Sequence, residues 1–291
     1  MWKCIHCGKK LDKRPENMKC PSCGITLGRT SATKEKLRVL RDVCELNNYD
    51  VFVDACAGSG KVQLLNGKVI EGSALVIDNA AKKRTPPATR IFIEQDQKTF
   101  RLLRWRSWGK ADSEATFIND DCNSHLLDVV NGKAKTLIFL DPFGYGLPAI
   151  RRDVVLEISR TPNTDLLINF TWRIAREMGY ARTYLYCSID NCPSPTKAGE
   201  KFGSCDLCPN RRRAISYERS ATVWWGQQEW LNWGTLKARE YAERYAYPLR
   251  KHNEVETYPV PRYSRKPTYQ LIFATKFDTP AYGMLRWLKR E

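Results

Sequence analysis

The chain has 291 residues, and its hydrophobic fraction of 42% is large enough to form a buried core. Its 48 lysines and arginines against 32 aspartates and glutamates give a net charge of +16, which favours a polyanionic partner such as DNA or RNA, although a basic surface can also exist without that role. The sequence has no apolar run of about 18 residues and no apolar signal-peptide segment, so we expect a cytoplasmic protein that does not bind membranes.

The first segment, residues 1–28, contains four cysteines in the spacing C-x2-C-x12-C-x2-C: Cys4, Cys7, Cys20 and Cys23. A segment of this length is too short to bury a core of its own. Each C-x2-C turn directs two thiolates at one ion, and two such turns complete a tetrahedral site. The segment is therefore predicted to be a zinc ribbon, and the stretch GRTSATK that follows it is predicted to be a linker.

From about residue 33 the sequence alternates between helical and strand patterns. Helices are predicted in TKEKLRVLRDVCELNN, GSALVIDNAAKK, QKTFRLLRWRSW, NSHLLDVVN, RRDVVLEISR and WRIAREMGYA, and strands in VFVDAC, RIFIEQD, ATFIND, TLIFLDPFG and TDLLINF. Apolar strands separated by helices indicate an α/β fold with a parallel sheet that is buried on both faces. The tail NEVETYPVPRYSRKPTYQLIFATKF is predicted to form two further strands around a proline-rich turn.

A second cysteine group interrupts this pattern at residues 187–213. Cys187, Cys192, Cys205 and Cys208 follow the spacing C-x4-C-x12-C-x2-C, which predicts a second metal-stabilised Cys4 insertion. A surface loop with free thiols is the alternative. The region from about 214 to 253 is predicted to be helical, with tryptophans that serve mainly in packing.

The loop in VFVDACAGSGKV resembles three kinds of ligand-binding loop. A phosphate loop needs a hydroxyl after the lysine to hold magnesium, and Val62 cannot supply one. A dinucleotide loop needs a third glycine, where this chain has Gln63. S-adenosylmethionine carries no phosphate and needs only a close approach of the backbone, which Gly58 and Gly60 permit. An acid at the strand end, Asp54, would lie near the cationic end of that methyl donor.

The next strands also end in polar residues. Glu94 ends the second strand and would bind the ribose hydroxyls, and Asp121 follows the third and would lie near the adenine. Carboxyl ends of parallel strands meet at one edge, where open α/β sheets bind ligands. The predicted donor site therefore comprises Asp54, Cys56, Gly58, Gly60, Glu94 and Asp121. Cys56 stands where the usual loop has its first glycine, and we interpret it as a packed thiol rather than a nucleophile for carbon methylation.

The fourth strand ends in the turn DPFG, and we predict that it is catalytic. Methylation of an exocyclic amine needs hydrogen-bond acceptors near the nitrogen and a flat surface for a base that has left its stack. The turn offers both through Asp141, Pro142, Phe143 and Gly144. A strand-ending turn without chemistry is the alternative.

Several blocks carry a family resemblance. DACAGSG resembles the DLFAGSG of ribosomal-RNA guanine methyltransferases, and DPFG resembles the DPFGSP of tRNA guanosine dimethyltransferases. Residues 33–291 resemble the three-Cys-motif partner family in the blocks KLRVLRDV, FVDACAGSG, FIEQD, NDDCN, LIFLDPFGYG, DLLINF, RIAR and PTYQLIFATK. The resemblance implies a Rossmann-like class I methyltransferase fold, the donor and acceptor residues named above with Asn169 beside them, and a partner protein with a three-cysteine motif. The ribbon and the Cys4 insertion fall outside that family pattern and suggest a specialised substrate.

Two functions follow from the sequence. The first is a S-adenosylmethionine-dependent methyltransferase that modifies nucleic acid, RNA rather than DNA, at an exocyclic amine of a base. The second is a catalytically inactive nucleic-acid-binding protein on the same fold that acts with a partner, which the unusual Cys56 and the shortened DPFG motivate. Arg101, Arg104 and Arg106 either contact a nucleic-acid backbone or form a solvated helix face. An NTPase is a distant third hypothesis.

Overall fold

The computed structural model describes residues 2–5, 7–11, 20, 22, 30–64, 66–107, 114–130, 132–142, 150–171, 222, 225, 236, 238–260, 269–276 and 278–290. The helices in these residues are α1 (Thr30–Leu46), α2 (Ser73–Lys82), α3 (Gln97–Ser107), α4 (Leu126–Val129), α5 (Arg152–Arg160), α6 (Ala238–Ala246) and α7 (Pro280–Arg290), with 3-10 turns at Cys122–Ser124 and Tyr247–Lys251. The strands are β1 (Trp2–Lys3), β2 (Lys10–Leu11), β3 (Val51–Asp54), β4 (Lys61–Gln63), β5 (Val69–Glu71), β6 (Thr89–Ile93), β7 (Ala115–Ile118), β8 (Thr136–Leu140), β9 (Thr164–Thr171), β10 (Glu254–Val260) and β11 (Tyr269–Thr275).

Seven strands form one sheet in the order β10-β11-β9-β8-β3-β6-β7. All neighbours pair in parallel except β11, which runs antiparallel to both β9 and β10. The first strand of this sheet along the chain, β3, lies in its middle. The strands β6 and β7 lie on one side of β3, and β8 lies on its other side. This order is that of a Rossmann-like class I methyltransferase sheet with a C-terminal antiparallel hairpin, and it confirms the predicted fold class. The reversal leaves a crevice at the carboxyl ends of β3 and β8.

The core consists of two apolar clusters, one on each face of the sheet. Phe52 of β3 belongs to the cluster under α1, α2 and α7, and its neighbour Val53 belongs to the cluster under α4, α5 and α6. Leu137 and Ile138 of β8 divide in the same way. Successive strand side chains point to opposite faces, so strands that are apolar throughout can bury both. The rigid sheet thereby fixes the loops that follow each strand.

Some elements differ from the sequence-based predictions. The predicted linker GRTSATK is wrong from Thr30 onward, because α1 already begins there and buries Ala32 and Thr33. The predicted helix NSHLLDVVN is instead a 3-10 turn followed by the single turn of α4. The β4–β5 hairpin and α7 were not predicted. The hairpin turns at Asn66-Gly67, where Gly67 has a φ of 84° and the Asn66 side chain accepts a hydrogen bond from the Lys68 amide.

Several predictions concern residues outside the described ranges. These are the fourth ribbon ligand Cys23, the turn residues Phe143 and Gly144, the helix WRIAREMGYA, the second group Cys187, Cys192, Cys205 and Cys208, and most of the predicted helical region before Ala238. Among the helices that are described, none combines the length and the apolar character needed to cross a membrane.

Candidate functional site

The carboxyl ends of β3, β6 and β8 bring three predicted acids together. Asp54 is the last residue of β3, and Glu94 and Asp141 directly follow β6 and β8. The three carboxylates are close enough that Asp141 and Glu94 both act electrostatically on Asp54. The crevice is therefore strongly acidic, and each carboxylate needs its own compensation.

Asp54 is the least compensated of the three. Its side chain is fully buried, and its Oδ2 atom has no hydrogen-bond partner among the described residues. The pKa of Asp54 is raised to about 7, mainly by burial and also by the charges of Asp141 and Glu94, while hydrogen bonds from Ser73 and from the Cys56 amide act to lower it. A buried acceptor without a partner is costly, and a cationic ligand group would satisfy it.

The glycine loop after β3 is held in place but leaves open space. Gly58 and Gly60 have φ angles of 61° and 74°, the left-handed region in which side chains are strained. The Gly58 amide donates to Glu94 Oε2 at 2.9 Å, and the Gly72 amide before α2 donates to the Gly60 carbonyl at 2.8 Å. A Cβ atom built on Gly58 would meet nothing within 4 Å. The loop can therefore accept a ligand directly against its backbone.

Asp141 differs from Asp54 because the chain itself supplies its partners. Lys36 Nζ lies 2.5 Å from Asp141 Oδ2, and Asn169 Nδ2 donates to Oδ1 at 2.6 Å. Burial is the largest single influence and acts to lower the pKa of Lys36, but Asp141, Tyr269 and Asp54 together outweigh it and raise the pKa above its ordinary value. The lysine is therefore a cation in the interior, paired with one carboxylate and 5.1 Å from the centre of the Tyr269 ring.

Lys36 was not predicted from the sequence, although a signal exists. It lies on the buried stripe of α1 with Thr33, Leu40 and Val43, at helical spacings of three and four residues. A lysine on an otherwise buried stripe requires an acidic partner, because an unpaired charge there would be strongly unfavourable. The sequence alone did not indicate which acid that would be.

Asp121 organises the turn after β7 rather than joining the three carboxylates. Its Oδ1 accepts hydrogen bonds from the Asn123 amide at 3.0 Å and from Asn123 Nδ2 at 2.8 Å. The next residue, Cys122, is hydrogen-bonded to the thiol of Cys56 in the glycine loop. This hydrogen bond and burial raise the pKa of Cys56 well above its ordinary value, so the thiol stays protonated. A protonated, packed thiol fits the structural interpretation of Cys56.

The lysine of the loop does not occupy the position found in phosphate loops. Lys61 is exposed and begins β4, so the loop leads into a hairpin. In a phosphate loop the lysine lies at the start of a helix, whose amide groups bind the anion. The local structure thus disfavours the NTPase hypothesis, as Val62 already does.

The N-terminal cysteines form a candidate metal site. The sulfur atoms of Cys4, Cys7 and Cys20 all lie within 4.8 Å of one another, and Cys7 and Cys20 are 3.7 Å apart. Zinc–sulfur bonds of about 2.3 Å in a tetrahedron place two sulfurs roughly 3.8 Å apart. The Gly8 amide donates to the Cys4 carbonyl at 2.8 Å and closes the turn between the first pair. Three thiolates in this arrangement could hold a structural zinc ion.

This cysteine turn is linked to the glycine loop through Gln63 of β4 and Arg106 of α3, which the sequence did not indicate. Gln63 Nε2 donates to the Lys3 carbonyl at 2.7 Å, and Gln63 Oε1 accepts from the Ile5 amide at 3.2 Å. Arg106 donates to the Ile5 carbonyl at 2.7 Å and to Ser59 Oγ at 3.0 Å. Arg106 is therefore a partly buried residue that links the N-terminal turn to the loop.

No protein-family model and no curated protein sequence matches the chain. Solved structures match it at low identity. The methyltransferase domain of bacterial CtHen1-C is 8% identical with a TM-score of 0.42, and the match covers 84% of this chain and 100% of that one. The precorrin-6y C5,15-methyltransferase from Geobacter metallireducens is 13% identical with a TM-score of 0.41, covering 86% and 94%. M. jannaschii TYW2 in complex with AdoMet is 12% identical with a TM-score of 0.38, covering 88% and 83%. The fold assignment rests on the strand order of this chain itself.

Proposed function

We propose that the protein is a S-adenosylmethionine-dependent methyltransferase that modifies nucleic acid, RNA rather than DNA, at an exocyclic amine of a base. The observation that carries this proposal is the unpartnered, buried Oδ2 of Asp54 beside an open glycine loop, at the switch point of a class I sheet. Such a loop needs a ligand with a cationic group and no phosphate. S-adenosylmethionine supplies a methyl group on a positively charged sulfur and carries an ammonium group.

Two of the proposed donor-binding residues, Asp54 and Glu94, have acceptor positions that remain available for a ligand. Asp54 Oδ2 can accept a hydrogen bond from a cationic group. Glu94 accepts one amide hydrogen bond on each oxygen, from Gly58 and from Asp96, and a carboxylate has about four acceptor positions. Two positions therefore remain for ribose hydroxyls. Asp121 and the thiol of Cys56 shape the adjoining turn and loop.

On the acceptor side, Asp141 is an oriented hydrogen-bond acceptor. Lys36 and Asn169 each use one position on its two oxygens, which leaves others for the N–H groups of an amine. Since Lys36 already compensates the charge, the substrate group beside Asp141 should be neutral, as an exocyclic amine of a base is. Pro142 is half-buried next to it, and we propose that Phe143 and Gly144 complete the surface for the base.

The nucleic-acid substrate is supported by the net charge of +16. The proposal includes a zinc ribbon completed by Cys23, a second metal site in the 187–213 insertion, and membership in the three-Cys-motif partner family with its partner protein. Metal analysis of the purified protein tests the first two, with two zinc ions per chain as the expected result.

The activity is tested in two steps. Calorimetric titration of the folded protein with S-adenosylmethionine should give one site per chain, and no measurable binding would refute the proposal. Incubation with methyl-labelled donor and separate pools of tRNA, rRNA and DNA should then label RNA. Asp141→Ala should abolish the label, whereas the exposed Asp128→Ala should retain it. Donor binding without label in any pool would favour the inactive nucleic-acid-binding protein.

A further inference from the structure

One face of α3 forms a groove that plays no part in the crevice. Its residues follow helical spacings of three and four along the chain, so they lie on one stripe. Together with one residue after β7 they line an open cavity of about 500 Å³, and we call this surface the α3 groove: Gln97, Phe100, Arg101, Arg104, Trp105 and Asn119. Leu103, on another face of the helix, is fully buried. The helix is thus anchored through one side and presents the groove on another.

Trp105 is the most notable member of the groove. It is 77% exposed, the highest value among the large hydrophobic side chains of the described residues. Within those residues it makes no ring contact and no hydrogen bond. A flat apolar ring left in water is unfavourable, and it suits a ligand with a flat face.

The groove is also positively charged without internal compensation. Arg101 and Arg104 are exposed, and neither forms an ion pair with another residue in the described parts of the chain. Two acids that flank the groove in the chain have other partners: Asp96 accepts from the Thr99 amide at 2.7 Å, and Asp120 binds His125 at 2.9 Å. Two free guanidinium groups beside an exposed indole favour an anionic ligand that also has aromatic faces.

A second exposed tryptophan provides an internal contrast. Trp287 of α7 is 56% exposed and also lines an open surface cavity, but its neighbours there include Asp42 and Glu45. The two indoles differ in surrounding charge, because the arginines beside Trp105 have no ion-pair partner in the described parts of the chain, whereas Asp42 and Glu45 beside Trp287 pair with Arg38 and Lys83. Only the surroundings of Trp105 suit a polyanion.

The groove borders the crevice. Asn119 Nδ2 donates to the carbonyls of Glu94 and Gln95 at 2.7 Å and 3.2 Å, so one end of the groove is tied to the turn that carries Glu94. A chain of nucleotides bound in the groove would therefore lie next to the proposed donor site.

We propose that the α3 groove binds single-stranded nucleic acid, with Trp105 stacked on an unpaired base and Arg101 and Arg104 on adjacent phosphates. Stacking requires a base whose face is free, which excludes the interior of a duplex. The proposal is independent of methyl transfer, because it would hold equally for an inactive binding protein.

Binding of the full chain to fluorescein-labelled oligo(U), with a matched RNA duplex for comparison, tests the proposal. Trp105→Ala should weaken binding to oligo(U) by about 5- to 150-fold, and Trp105→Phe should restore most of it. Arg101→Gln with Arg104→Gln should reduce the slope of log affinity against log salt by about 1.4. Trp287→Ala is the matched control and should bind as the unaltered protein does. Binding of S-adenosylmethionine should be unchanged in all of these variants, which separates this proposal from the proposed activity.

Three outcomes would overturn the proposal. The first is unchanged oligo(U) affinity in Trp105→Ala, and the second is a loss equalled by Trp287→Ala. The third is equal affinity for the duplex, since a duplex offers only its phosphates. Binding of an acidic peptide such as poly-Glu in place of oligo(U), lost in Trp105→Ala, would assign the groove to a protein partner instead.

Discussion

Asp54 and Asp141 end adjacent strands of one sheet, and both are buried in one crevice, yet their surroundings are opposite. Asp141 is paired with a buried lysine and an amide, whereas Asp54 has an oxygen without a partner and a pKa of about 7. Burial alone therefore does not define the state of a carboxylate, because the nearest cation decides it. The chain compensates Asp141, on the proposed acceptor side, by itself, and on our proposal it leaves Asp54, on the donor side, to a cationic ligand.

Removal of the internal cation should have the largest effect. In Lys36→Met the charge of Asp141 stays buried without its partner, and we expect a loss of about 3–5 kcal/mol in the free energy of unfolding, measured with urea. Lys36→Met combined with Asp141→Asn should recover much of it. The control Lys83→Met breaks an exposed pair with Glu45 and should change stability by less than about 1 kcal/mol. A small loss in Lys36→Met would mean that the two carboxylates are not as different as the contacts indicate.

Asp54→Asn should remove part of the pH dependence of the free energy of unfolding. The pKa of Asp54 is raised from an ordinary 3.8 to about 7, so the native state retains a proton that the unfolded state releases first. Stability of the unaltered protein should therefore fall as pH rises from about 4 to about 7, by up to about 4 kcal/mol from this group. Urea denaturation across this range should show a smaller decline in Asp54→Asn. An identical decline in both proteins would contradict the state assigned to Asp54.

Affinity for S-adenosylmethionine should also depend on the protonation of Asp54. Only the ionised form of Asp54 compensates a cation, so affinity for S-adenosylmethionine should rise about tenfold between pH 6 and pH 8. Calorimetry at pH 6 in two buffers of different ionisation enthalpy should reveal proton release on binding. In Asp54→Asn, binding should be weaker and its pH dependence flat. Release of the same number of protons by that variant would point to another group.

The smallest effect is expected from changes at the N-terminal cysteine turn, which should alter only the binding of the proposed methyl donor. Its backbone holds Gln63 and Arg106, and Arg106 in turn holds Ser59 of the glycine loop. Chelation of the proposed zinc ion, or Gln63→Ala, should therefore weaken binding of the proposed donor by a few fold, equivalent to about 1 kcal/mol for the lost hydrogen bonds. Gln95→Ala, at an exposed position, is the control. Donor affinity that survives chelation would show that the turn does not support the loop.

The meeting of the three carboxylates could be predicted from the sequence. The side chains that make the surroundings of Asp54 and Asp141 different could not. The apolar strands and their terminal acids predicted that Asp54, Glu94 and Asp141 would meet, because the carboxyl ends of parallel strands share one edge. Lys36 could not be matched to Asp141, since its place on the apolar stripe of α1 indicates that it needs an acidic partner but not which acid that is. The links from Gln63 and Arg106 to the N-terminal turn join side chains to backbone atoms far away in the chain, and backbone partners leave no pattern in residue types. Membership in the three-Cys-motif partner family stays a prediction.

The Lys36–Asp141 pair also has a kinetic consequence. Its residues are 105 positions apart, and Asn169, the other partner of Asp141, lies still later in the chain. Contacts of such long range must first pay the entropy of closing a long loop, so we expect this pair to form late in folding. During synthesis, β9 must therefore leave the ribosome before Asp141 can have both of its partners. For the same reason, loss of the pair should mainly speed unfolding and leave the refolding rate nearly unchanged.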